Sequence, residues 1–114
     1  LRDVTGLFIY CDDEVAGFLG HQERGRGREA YGYVWEIAIL EKFRRRGIGS
    51  HLIQSLISVE YRKVQEVHLT VIAENSNAIR TYLRLGFVIK KWMPDSTADG
   101  RSSLLMVHKK NKGF

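Results

Sequence analysis

A mixed α/β sheet, with helices carrying the chain between neighbouring strands, is the fold class this sequence predicts. Two observations support it. Residues 31–92 alternate strand-like apolar runs with two segments of helical period. The helical segments lie between strands, which implies right-handed crossovers in an α/β or α+β sheet. At 114 residues, 44% hydrophobic and 27% charged, the chain is expected to form one soluble globular domain with a single core.

The elements follow in order. Leu7 to Cys11 and Val15 to His21 are apolar-rich runs separated by Asp12-Asp13-Glu14, which reads as a hairpin. Gln22 to Glu29 is polar and glycine-bearing, and reads as a loop. Between residues 31 and 40, Tyr31, Tyr33, Trp35, Ile37 and Ile39 alternate with Gly32, Val34, Glu36, Ala38 and Leu40. Both sets are largely apolar, so this strand is expected to be central and covered on both faces. Residues 48–62 carry Ile48, Leu52, Ile53, Leu56, Ile57 and Val59, a broad stripe suited to lying on a sheet. Strand 66–72, helix 76–85, strand 87–92, a loop from Pro94 to Arg101 and strand 103–108 complete the series. Lys109 to Phe114 reads as a basic, frayed tail.

The stretch Arg44-Arg45-Arg46-Gly47-Ile48-Gly49-Ser50 joins the central strand to the first helix. First-turn N–H groups lack intrahelical partners, and the macrodipole adds positive potential there. Gly47 and Gly49 remove Cβ atoms that would hold an anion away, and the arginines add charge. This turn predicts a phosphate seat. A second segment, Ala73 to Phe87, follows strand 66–72. Asn75 or Ser76 can cap its helix, and Gly86 ends it. Gly25-Arg26-Gly27-Arg28-Glu29-Ala30 also fits a dinucleotide-binding pattern, but strand-like residues follow it where a helix is required.

Arg44-x-x-Gly47-x-Gly49 matches the acetyl-CoA motif of the GNAT superfamily of acyl-CoA-dependent N-acyltransferases. Asn75, Ala78, Ile79, Tyr82, Gly86 and Phe87 match that family's second pattern, in the right order and spacing. The chain resembles this superfamily from about Cys11 to Lys109. Trp92-Met93-Pro94, Asp99-Gly100 and Leu104-Leu105-Met106 make it loosely similar to the ribosomal-protein type of N-terminal acetyltransferase. The resemblance implies a mixed, mostly antiparallel central sheet with two splayed strands flanked by helices. Such domains usually begin with a strand and two helices, whereas about six residues precede the Leu7 strand. Either the numbering starts inside a longer chain or that segment is lacking, leaving the acceptor pocket shallow or completed by a second subunit.

The resemblance also implies chemistry. Acetyl-CoA is the expected co-substrate, lying between strands 31–40 and 66–72 and pairing with backbone of Ile37, Ala38 and Ile39. An N–H near Ile39 would face the thioester oxygen. Amides of Arg45, Arg46, Gly47, Ile48, Gly49 and Ser50 would hold the pyrophosphate, with Arg44 and Arg45 as its side-chain partners. Asn75 would bond the pantetheine arm, with Ala78 on the same helix. Tyr82 is the first catalytic candidate: a phenol with a pKa of about 10 stays protonated and can hydrogen-bond the departing sulfur. Many family members place glutamate where Tyr33 or Thr70 stands; some N-terminal acetyltransferases use tyrosine at the first position and histidine at the second. Tyr33 fits the first half. His68, on the face of Thr70, and Glu36 are the remaining base candidates.

The net charge of +5 and pI near 9.6 favour an anionic ligand, and the phosphates of coenzyme A account for it without nucleic acid. The lone Cys11 fits a reducing compartment and a packed thiol, so a cytoplasmic protein is expected. No apolar run reaches membrane-spanning length. His21, His51 and His108 lack metal-ligand spacing, and no metal is implied. The leading expectation is an acetyl-CoA-dependent N-acetyltransferase acting on a protein N-terminus or small amine, as monomer or homodimer. A catalytically silent CoA-binding or regulatory module is the alternative. A nucleic-acid domain built on Arg24, Arg26, Arg28 and Arg44 to Arg46 ranks last, because the aromatics do not interleave with those charges.

Overall fold

The computed structural model describes residues 5–110. Strands β1 (Thr5–Cys11) and β2 (Glu14–Arg24) form a hairpin, followed by β3 (Tyr31–Ile39). Helix α1 (Ile48–Ser55) leads through a π-helical turn, Leu56–Glu60, to β4 (Glu66–Ile72). Helix α2 (Ser76–Arg84) precedes β5 (Phe87–Met93) and β6 (Ser103–Lys109). The six strands lie in the order β1-β2-β3-β4-β6-β5, antiparallel except for β3 and β4. The hairpin turns at Asp12 and Asp13, whose φ values of 50° and 65° place both in the left-handed region of a two-residue loop. Strand β2 runs three residues past its expected end and leaves a shorter loop, with one 3-10 turn at Gly27–Glu29.

Both crossovers step the same way along the sheet, so the usual right hand lays both helices on one face. The packing agrees. Ile48, Leu52 and Ile53 of α1 and Leu56 of the π-helical turn meet Leu19, Val34, Val67, Leu69 and Met106 of the sheet, with Ala78, Ile79 and Tyr82 of α2 against the same core. Leu56 and Ile53 are fully buried, worth about 1.5–3 kcal/mol each. No helix among the described residues is long and apolar enough to cross a membrane.

Three expectations are corrected. Strand β3 is covered on one face only: Trp35 remains 43% exposed, and Phe8, two strands away, 58%. Phe18 bridges these rings at 5.0 and 5.9 Å, and none of the described elements lies over them. Apolar residues on both faces did not mean two covering layers. The helix expected over 48–62 changes pitch at Leu56, where Tyr61 N–H bonds Leu56 O at 2.9 Å. This wide turn throws Val59 outward and lays the Tyr61 ring over Gly32, with its hydroxyl 2.8 Å from His21 Nδ1. Burial, aided by Glu23 and Glu60, pushes the Tyr61 phenol up to about 12; burial also lowers His21, against the pull of Glu60. Finally, Lys109 and Lys110 are no frayed tail: Lys109 ends β6, and Lys110 bonds Gln65 O and Tyr61 O. Residues 111–114 of that expected tail lie outside the described residues.

Candidate active site

Strands β3 and β4 pair at three positions only, Gly32–Val67, Tyr33–His68 and Val34–Leu69, and then part. A bulge drives the parting. Val34 faces His21 and Glu36 faces Gly20, so Trp35 is an extra residue that bends β3 away. The resulting slot of about 200 Å³ has Trp35, Glu36 and Ile37 on one wall, Thr70, Val71 and Ile72 on the other, and Asn75, Ala78 and Tyr82 beneath. It adjoins a cleft of about 540 Å³ lined by Ala38, Ile39, Arg44, Gly49, Ser50 and Thr81, among others.

Leu40 N–H bonds Ala16 O at 2.9 Å, which fixes the phase of the β2–β3 ladder. Alternation then turns the polar groups of Ala38 toward β2 and those of Ile37 and Ile39 into the slot. Two contacts agree. Ile37 N–H donates to Glu36 Oε1 at 3.2 Å, and Arg44 Nε donates to Ile39 O at 3.0 Å. Ala38 therefore supplies a wall, whereas Ile37 and Ile39 supply backbone groups.

The turn before α1 is wound tightly, with Arg45 at φ 67° and Gly47 at φ 75°. No side chain caps the helix, so the first-turn amides of Ile48, Gly49 and Ser50 point out at the cleft end. Together with the helix dipole they make an anion seat. Arg44 lines the cleft, but Arg46 lies over the Phe43 ring at 5.4 Å, and Arg45 is exposed outside the cleft lining. Ile48 contributes its amide alone, since its side chain is in the core.

Asn75, not Ser76, caps α2: its Oδ1 accepts from Ala78 N–H at 3.2 Å. That bond uses the oxygen and leaves the amide nitrogen as a donor on a residue that lines the cleft. Tyr82 borders both cavities, packs on Phe87 at 5.9 Å, and its phenol is pushed up by burial. It therefore stays protonated through neutral pH. Asn77 and Thr81 also line the cleft; they stand four residues apart on α2 beside the motif residues, and helical spacing alone marks them.

The opposite, open face of the sheet holds the other candidates. Cross-strand partners share a face, so the bulge brings Glu36, paired with Gly20, onto the face of Tyr33 rather than away from it. Tyr33 Oη lies 3.2 Å from Thr70 Oγ1, spanning the two strands at the slot. The Arg24 guanidinium sits 3.9 Å above the Tyr33 ring, held by Gln22 Oε1. His68, two residues from Thr70, donates from Nε2 to Glu66 Oε1 at 2.8 Å and stacks on Tyr31 at 4.0 Å. Glu66 escaped the sequence reading, and Arg24 entered it only in the nucleic-acid alternative; strand alternation was the signal that places both on this face. Among the described residues, no group of three or more His, Cys, Asp or Glu side chains is placed to hold a metal ion.

An anion seat beside a slot between two parted strands suits an extended ligand with a phosphate at one end. The chain belongs to the Acetyltransferase (GNAT) family, whose profile matches residues 2–87. It is 42% identical over 77 residues, 66% of this chain and 46% of the relative, to an N-alpha-acetyltransferase of Sulfurisphaera tokodaii. The chain thus spans about half the length of that curated relative. Among solved structures, Ard1 of Thermoplasma volcanium superposes at a TM-score of 0.78 with 28% identity, covering 89% of this chain and 67% of that one. Arabidopsis thaliana NAA60 in complex with a bisubstrate analogue gives 0.78 and 25%, covering 86% and 67%.

Proposed function

We propose that this protein transfers an acetyl group from acetyl-CoA to the α-amine of a protein or peptide N-terminus, by direct attack in a ternary complex. The slot between β3 and β4 carries this reading, because it joins a helix-side anion seat to a face bearing the Tyr33–Thr70 hydroxyl pair. Coenzyme A would lie along the cleft. Its diphosphate would take the amides of Ile48, Gly49 and Ser50, with Arg44 alongside. Its arm would meet Ile37, Ile39 and Asn75. The amine would enter from the open face.

The chemistry needs two protons moved from an ammonium. One leaves through the Tyr33–Thr70 hydroxyls, giving the neutral amine whose lone pair attacks the thioester carbon. As the C–S bond breaks, the second ends on the departing sulfur, toward which the protonated Tyr82 hydroxyl would donate a hydrogen bond. An α-amine, with a pKa of about 8, needs far less assistance at neutral pH than a lysine amine at about 10.4. No carboxylate replaces Tyr33 or Thr70, which suits the easier acceptor. Two relatives point the same way: one is an N-alpha-acetyltransferase and another binds a bisubstrate analogue. The lone Cys11 supports a cytoplasmic setting.

The test is thiol release from acetyl-CoA with peptides bearing a free N-terminus, the same peptides N-blocked but carrying lysine, polyamines and aminoglycosides. Mass spectrometry then locates the acetyl group. Turnover confined to free N-termini is the expected result. Acetylation of lysine or small amines alone would overturn the acceptor assignment, and release unstimulated by any amine would overturn the transferase itself.

A further inference from the structure

The slot mouth carries two opposite charges. Glu36 lines the slot, its Oε1 accepting from Ile37 N–H at 3.2 Å. Arg24 lies on the open face beside it, with its guanidinium carbon 3.9 Å from the Tyr33 ring centre. We propose that Arg24 is an acceptor-specificity residue, which takes the carboxylate of an acidic second residue in the peptide whose α-amine enters the slot. This rests on the transferase reading above and names a substrate class for it.

The pose of Arg24 is set by its own strand. Gln22 pairs with Tyr33 and Arg24 with Tyr31, so all four side chains share one face. Gln22 Oε1 accepts from Arg24 Nε at 3.1 Å and from Nη2 at 3.0 Å, which folds the side chain back over the Tyr33 ring. A guanidinium has five N–H donors; two are used here, and three remain. Arg24 is exposed, and among the described residues no carboxylate stands within ion-pair distance of it. The nearby acids are engaged or turned away. Glu36 holds Ile37 N–H and Glu66 holds His68, while Glu23 belongs to the helix-bearing face, where it acts on Tyr61. Arg26 and Arg28 follow in the loop, against Glu29 alone, and keep this end of the face cationic.

Stacking alone would make Arg24 a piece of scaffolding. The spacing argues for more. Glu36 faces Gly20 and Tyr33 faces Gln22, two residues further along β2, or about 7 Å. An α-ammonium drawn to Glu36 leaves the next Cα about 3.8 Å beyond the first, and an aspartate or glutamate side chain covers the rest. A free amino acid, whose amine and carboxylate share one carbon, is too short to meet both charges. A guanidinium already held by Gln22 loses little freedom on binding, and its planar fork suits a carboxylate.

The test is kcat/KM at saturating acetyl-CoA for peptides that differ only in having Asp, Asn or Lys as second residue. Wild type should favour Asp over Asn about tenfold, and the ratio should shrink as salt rises. Arg24→Gln should abolish that preference, and Arg24→Glu should favour Lys over Asp. A wild type that does not separate Asp from Asn would overturn the proposal. So would an Arg24→Gln variant that slows every peptide equally, since that marks a scaffold for Tyr33 and no more. If wild type turns over none of the peptides, the transferase reading falls instead. Calorimetry of the Asp and Asn peptides with the protein–CoA complex then decides this proposal, and equal affinities overturn it.

Discussion

Gly47→Ala separates backbone strain from ligand seating. Gly47 sits at φ 75° at the N-cap of α1, and a Cβ there would meet nothing within 4 Å. The fold therefore loses only the left-handed penalty for an L residue, about 1–2 kcal/mol. Gly100, at φ 80° and also with nothing within 4 Å, is a matched control in the turn between β5 and β6. Alanine at either position should cost the same stability in urea titrations. Only at position 47 does the added methyl stand beside the first-turn amides. Losing one hydrogen bond to a diphosphate costs about 1.5–3 kcal/mol, or roughly ten- to hundredfold in affinity. Calorimetric titration with acetyl-CoA should show that loss for Gly47→Ala and wild-type affinity for Gly100→Ala. Equal binding by the two variants would refute the anion seat.

Tyr82→Phe should lower kcat at least tenfold while leaving acetyl-CoA affinity within twofold, as read by steady-state kinetics beside calorimetry. Gly32→Ala would place a Cβ 2.6 Å from Tyr61 Cδ2, so chemical denaturation should show a loss of about 1–3 kcal/mol. Buried His21 has its pKa held below the usual value of 6.5, first by desolvation. The unfolded chain takes up that proton first, so stability should be complete above about pH 6.5 and fall as pH drops through the lower folded value. His21→Phe should flatten this acid limb in urea midpoints measured from pH 7.5 to 5.

The helices, most strands and the glycine-bearing turn before α1 were legible because each depends on local pattern. Asn75, Gly47 and Gly86 punctuate the helices, and Ile37 and Ile39 alternate as strand residues must. What sequence could not give arises between elements. The bulge at Trp35 appears only once β3 is laid against β2, and it moves Glu36 to the face of Tyr33. The π-turn at Leu56 depends on Tyr61 reaching His21, forty residues away. Arg45 was read as a phosphate side chain and Arg46 as an amide donor; of the three arginines, Arg44 is the one that lines the cleft. Glu66 was invisible as a partner of His68 because surface glutamates are common; the contact alone distinguishes it.

The three rungs joining β3 to β4 make a narrow seam between two antiparallel halves, β1-β2-β3 and β4-β6-β5. A molecule lying in the parted region would touch both halves and act as a crosspiece where the ladder stops. Occupancy should therefore stiffen the whole protein, slowing amide exchange at Gly32 and Val67, a rung of the ladder that does not line the slot.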